Sequence, residues 1–101
     1  MRMIIFFDLP MITSKDLQEY RKFRSFLLKN GFIMLQESVY CRLLLNNSSM
    51  KLLKNQIEKN LPKSGLIQLL KITEKQYSDI EYLCGKSKSN IISDTRRVVE
   101  I

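Results

Sequence analysis

Met3-Ile4-Ile5-Phe6-Phe7-Asp8-Leu9-Pro10 opens the chain with a continuous apolar run closed by an acid and a proline. Its length and β-branched content favour a buried strand over a helix. Pro10 has no N–H to give to a ladder, so pairing must stop there. The run is too short to span a membrane, and Arg2 and Asp8 interrupt it, so it reads neither as an anchor nor as a secretory signal. A cytoplasmic protein with no membrane partner is the expectation.

Outward from this strand, Thr13-x-x-Asp16 supplies a helix cap with an acid at the third helical position. The helix it predicts runs to about Lys29, where Asn30-Gly31 supplies a left-handed stop. At the helical step of about 100° per residue, Leu17, Tyr20, Phe23, Leu27 and Leu28 share one arc, with Lys15, Lys22 and Lys29 opposite. Arg24 projects within the apolar arc, so it either snorkels to water or meets an acid or a phosphate. Residues 32–37 and 39–45 read as strands joined by a bulged or tight corner near Ser38. Asn46-Asn47-Ser48-Ser49 forms a turn and cap. A second helix then runs to about Asn60, with Met50, Leu53 and Ile57 on one face. Residues 61–65 break it, and Leu66–Ile72 is a fourth strand.

The order β-α-β-β-α-β predicts an α+β, ferredoxin-like domain: a four-stranded antiparallel sheet with both helices on one face. Residues 1–72 make that core and residues 73–101 a C-terminal extension. Within the extension, Thr73–Gln76 is polar, residues 78–83 have strand character, residues 85–90 read as a flexible linker and residues 98–101 as a further strand. A four-stranded unit does not need these pieces. They are expected to cover sheet edges in a homodimer and to dock a partner.

A chain of 101 residues is one domain, and its 45% apolar content is that of a folded protein. Net charge is +7 and the sequence pI about 9.6, an excess that suits a polyanionic partner or serves solubility alone. There is no histidine, and the two cysteines, Cys41 and Cys84, form no CxxC pair. That argues against structural zinc and excludes a histidine-based general base. Both thiols are expected to be small buried hydrophobes in a reducing compartment.

Asp8 is the sharpest chemical feature: a carboxylate at the end of a buried strand beside a proline turn. It either caps local amides or ligates a hard metal ion. Mg²⁺ takes one or two carboxylates with waters and phosphate oxygens. Two copies of Asp8 facing each other across a two-fold axis would meet that need. Without histidine, metal activation of water is the simplest route to phosphodiester hydrolysis. Lys15, Arg21, Lys22 and Lys29 on the first helix, with Arg96 and Arg97 in the tail, are either a solvated surface or sequence-independent phosphate contacts. No aromatic motif of the RNA-recognition type is present. A small-ligand regulatory domain would need a Gly-rich or acidic binding loop, which is also missing.

Arg2-Met-Ile-Ile-Phe-Phe-Asp8-Leu9-Pro10, Tyr20-Arg-Lys-Phe-Arg-Ser-Phe-Leu-Leu-Lys-Asn-Gly-Phe32 and Leu35-Gln-Glu-Ser-Val-Tyr40 follow one another in an order that resembles a known family. It is the smaller of the two universal spacer-acquisition families of CRISPR systems. Gly65-Leu-Ile-Gln-Leu-Leu70 and Thr73-Glu-Lys-Gln76 are similar to the variety found beside single-effector (type II) systems, as is Leu9-Pro10 after the acid. The resemblance covers nearly the whole chain. It implies a ferredoxin-fold homodimer, with Asp8 as the catalytic ligand of Mg²⁺ shared at the dimer interface. Members are metal-dependent endoribonucleases or DNases, and they also form the non-catalytic centre of the complex that inserts new spacers. The implied partners are an integrase and duplex DNA, with RNA as a second substrate. Lys15, Arg21, Lys22, Arg24, Lys29, Arg96 and Arg97 would then track phosphates.

Overall fold

The computed structural model describes residues 1–85. Its elements are β1 (Arg2–Asp8), α1 (Ser14–Lys29), β2 (Ile33–Gln36), β3 (Val39–Leu43), α2 (Asn47–Lys59), β4 (Leu66–Ile72) and α3 (Glu74–Ser78). The strands form one sheet in the order β2-β3-β1-β4, every pair antiparallel. The two βαβ units therefore interleave, each placing its second strand two positions from its first, with a strand of the other unit between them. This is the expected ferredoxin-like arrangement.

β1 is central, which explains its apolar run. Met3, Ile5 and Phe7 alternate onto one face and enter a core shared with Phe23 and Leu27 of α1 and Met50, Leu53 and Ile57 of α2. Both helices thus cover the same side of the sheet. Phe7 is the hub: its ring lies 5.3 Å edge-on from Phe23 and 5.5 Å from the stacked ring of Tyr40.

Local signals end the elements where the sequence places them. Thr13 and Asp16 form a reciprocal capping box, with Asp16 N–H donating to Thr13 Oγ1 at 3.0 Å and Thr13 N–H to Asp16 Oδ2 at 3.1 Å. Gly31 follows the Asn30 cap at φ 85°. Asn46 Oδ1 accepts from Ser49 N–H at 2.8 Å and caps α2. The corner between β2 and β3 is tight and irregular, with a register shift between Met34 and Gln36 and Ser38 at φ 65°.

Three expectations need correction. Residues 78–83 are not a strand. Ser78 ends α3, and the next N–H groups are spent on it, Asp79 donating to Lys75 O at 3.0 Å and Ile80 to Tyr77 O at 3.2 Å. Leu28 is exposed, because the core-facing arc of α1 centres on Phe23 and Leu27. Cys41 is buried but Cys84, past the end of α3, is exposed. The expected linker beyond Gly85 and the final strand lie outside the described residues, as do Arg96 and Arg97.

The sheet's other face has no helix of the core against it. Ile4, Phe6, Val39 and Leu70 line a groove of about 510 Å³ there, with Ile80 and Tyr82 at its margin. α3 is pinned beside this groove by Arg2. That guanidinium bonds Glu74 at 3.0 Å, lies 3.9 Å from the centre of the Tyr77 ring and donates to Cys41 Sγ at 3.7 Å. Burial pushes the Tyr77 hydroxyl above its ordinary pKa; the Cys41 thiol adds to the effect and Arg2 opposes it.

Candidate functional site

Asp8 is the last residue of β1, opposite Leu66 at the start of β4. Alternation along β1 places it with Ile4 and Phe6 on the open face, away from the core formed by Met3, Ile5 and Phe7. It is exposed, and its backbone is fixed on two sides. Phe7 N–H donates to the Ser38 carbonyl at 3.0 Å, tying β1 to the β2–β3 corner. Gly65, at φ 105°, brings the start of β4 so close that an added Cβ would lie 2.9 Å from the Asp8 carbonyl oxygen. A cavity of about 150 Å³ opens beside Asp8, between the β2–β3 corner and β4.

Among the described residues no group of three or more His, Cys, Asp or Glu side chains could hold a metal ion. Asp8 is the one carboxylate lining this cavity among the described residues. A single exposed carboxylate lies at the lower end of the one or two that a hydrated Mg²⁺ takes from protein, and a second copy of the chain would supply another. It does not fit a closed metal cage, nor zinc, which needs nitrogen or sulfur ligands.

The basic candidates fall elsewhere. Lys15, Arg21, Lys22 and Lys29 are exposed on α1, which packs on the core side of the sheet, away from the face that carries Asp8. Lys15 stands at the start of the helix and Lys29 at its end, so the lysines form a row along the molecule rather than a cluster. Lys22 shares a shallow cavity of about 110 Å³ with Lys59 at the end of α2, beside Glu19 and Leu61. Lys59 was not a candidate from sequence, because only the packing of α2 against α1 brings it there. Arg24 has a structural partner: its Nε donates to the Tyr40 hydroxyl at 2.9 Å, which satisfies the buried phenol from the rim. Arg42 likewise serves the fold, its Nη1 donating to Asn30 O at 2.7 Å and closing the end of α1.

No helix of the described residues is long and apolar enough to cross a membrane. The chain matches a family model described as CRISPR associated protein Cas2 over residues 1–80. It is 46% identical over 99 residues to the CRISPR-associated endoribonuclease Cas2 of Treponema denticola, a match covering 98% of each chain. Proteins of the same name from Streptococcus mutans and Ligilactobacillus salivarius are 48% and 44% identical over 99 residues. Those matches cover 98% of this chain and, respectively, 91% and 98% of the relative.

Proposed function

The chain belongs to the Cas2 family of CRISPR-associated proteins, and from that premise we propose that it is a homodimeric nucleic-acid-binding protein of spacer acquisition, placed between duplex DNA and a partner integrase. The observation that carries this reading is the division of the surface. One side presents the exposed cations of α1; the other presents an apolar sheet face with Asp8 at its end. A second copy covers the apolar face, and the cationic faces then point outward, where they run along phosphates without reading bases. The acting cations are Lys15, Arg21, Lys22 and Lys29, with Arg96 and Arg97 of the tail. Arg24 is a weaker candidate, because its Nε already serves Tyr40.

A second reading is favoured by Asp8 and by the endoribonuclease name of the relatives. Here the two Asp8 carboxylates of the dimer hold Mg²⁺. When bound, that ion would supply an activated water for phosphodiester hydrolysis. The chain's own part is to place two acids at one point of an otherwise apolar interface, where their charge is balanced only by a cation.

One experiment separates the readings. Wild type and Asp8→Asn are compared in spacer integration with the partner integrase and, in parallel, in Mg²⁺-dependent cleavage of RNA and DNA. A scaffold integrates equally well with either protein. A nuclease loses cleavage in Asp8→Asn while its fold persists. Cleavage that survives both Asp8→Asn and excess chelator would overturn the metal reading.

A further inference from the structure

The cavity beside Asp8 has two other polar residues in its lining, Ser38 and Gln68; the rest is apolar, with Phe6, Val39 and Leu66 at its wall. Gln68 pairs with Phe6 across β1 and β4, one pleat step from the Asp8–Leu66 pair, so it projects to the same face as Asp8. Ser38 reaches the cavity from the opposite side, off the β2–β3 corner. Its backbone is held at φ 65°, a conformation that costs a side chain roughly 1–2 kcal/mol and glycine almost nothing. A glycine would therefore serve the turn better. Serine accepts that strain at a position that lines the cavity holding Asp8 and carries a hydroxyl.

We infer that Ser38 and Gln68 are outer-sphere residues of the Asp8 site, accepting hydrogen bonds from the water shell of a hydrated divalent cation. The inference rests on the reading of Asp8 as a metal ligand. Mg²⁺ gives up its waters reluctantly and keeps several of them in protein sites. Those waters point their protons outward and need acceptors. The apolar wall offers none, whereas a hydroxyl oxygen and a carboxamide oxygen do so without adding negative charge. Such partners set metal affinity by about 10- to 100-fold in well-built sites.

The test is metal binding by the full-length protein. Calorimetric titration with Mg²⁺ and with Mn²⁺ is paired with thermal unfolding at rising metal concentration. The variants are Asp8→Asn, Ser38→Gly, Ser38→Asn and Gln68→Leu. Ser38→Gly relieves the strained backbone, so without metal it should melt no lower than wild type, yet bind Mn²⁺ about tenfold more weakly. Asn tolerates the left-handed region and carries an acceptor, so Ser38→Asn should recover part of the loss. Gln68→Leu should weaken binding to a similar degree with its metal-free melting preserved. Affinities within twofold of wild type for both Ser38→Gly and Gln68→Leu, alongside lost binding in Asp8→Asn, would overturn the outer-sphere role and leave the Asp8 reading standing. Binding unchanged in Asp8→Asn, or absent from wild type, would overturn both.

Discussion

Gly65 is the position where one added methyl group meets the most resistance. A Cβ there would lie 2.5 Å from Leu9 Cδ2 and 2.9 Å from the Asp8 carbonyl oxygen. The leucine methyl can swing away, but the carbonyl belongs to the paired end of β1. The residue also sits at φ 105°, outside the range that side chains adopt readily. Gly65→Ala is therefore expected to cost about 1–3 kcal/mol in urea denaturation. It should also impair whatever Asp8 does. Unchanged stability would mean that the turn before β4 yields without disturbing β1. At this scale the sequence was readable wherever cause and effect are neighbours: Thr13 with Asp16, Asn46 with Ser49, and Asp8 before Pro10. It was silent where the cause lies across the fold. Arg24 meets Tyr40, and Arg42 meets Asn30, only once β3 lies beside α1. Ser38 gave no warning of its positive φ, since serine is not among the residues that favour that region.

Among the elements, α3 is the one the periodic pattern did not reveal. It has five residues, fewer than two turns, so no apolar period can register. A local mark was nonetheless present. Thr73-x-x-Gln76 is a capping box, with Gln76 N–H donating to Thr73 Oγ1 at 3.1 Å and Thr73 N–H to Gln76 Oε1 at 2.9 Å. The strand character of residues 78–83 misled because α3 holds the N–H groups of Asp79 and Ile80. Such a short helix is held by its anchor more than by itself. The Arg2–Glu74 pair has a half-exposed carboxylate, with 48% of the Glu74 side chain accessible, so it contributes under about 1 kcal/mol. The stacking of Arg2 on Tyr77 adds about 0.5–1 kcal/mol. Arg2→Leu removes both and keeps the apolar stem. The expected result is local: amide hydrogen exchange at Tyr77, Asp79 and Ile80 speeds up about 5- to 30-fold, a gain of 1–2 kcal/mol in opening. Exchange of the β1 amides should hardly change. Equal acceleration in β1 would show that Arg2 supports the sheet rather than α3.

At the scale of the whole molecule, the sheet order was readable because right-handed crossovers leave few ways to arrange β-α-β-β-α-β. What the sheet's open face meets was not, because one chain's sequence does not say what packs on a face its own helices leave open. That face keeps large apolar side chains open to solvent. Leu70 is 47% exposed there and Leu66 56%, around the groove that begins with Ile4 and Phe6. Asp8 lies on the same face, the one charged residue lining its cavity among the described residues. In the proposed dimer, pairing two copies face to face would bury the groove and bring two Asp8 carboxylates together, so apolar burial and the proposed metal binding would call for the same partner. Wild type is expected to elute with twice the monomer mass of 12.0 kDa in light scattering at micromolar concentration. Leu70→Lys places a charge on that face, on the edge strand β4 opposite Ile4. Leu70 is half-exposed in the single chain, so the variant should fold, with its circular dichroism and melting close to those of wild type. It should elute as a monomer and bind Mn²⁺ only as weakly as Asp8→Asn. A Leu70→Lys protein that remains dimeric would place the interface elsewhere. One that is monomeric yet binds metal like wild type would separate the metal site from the two-fold axis.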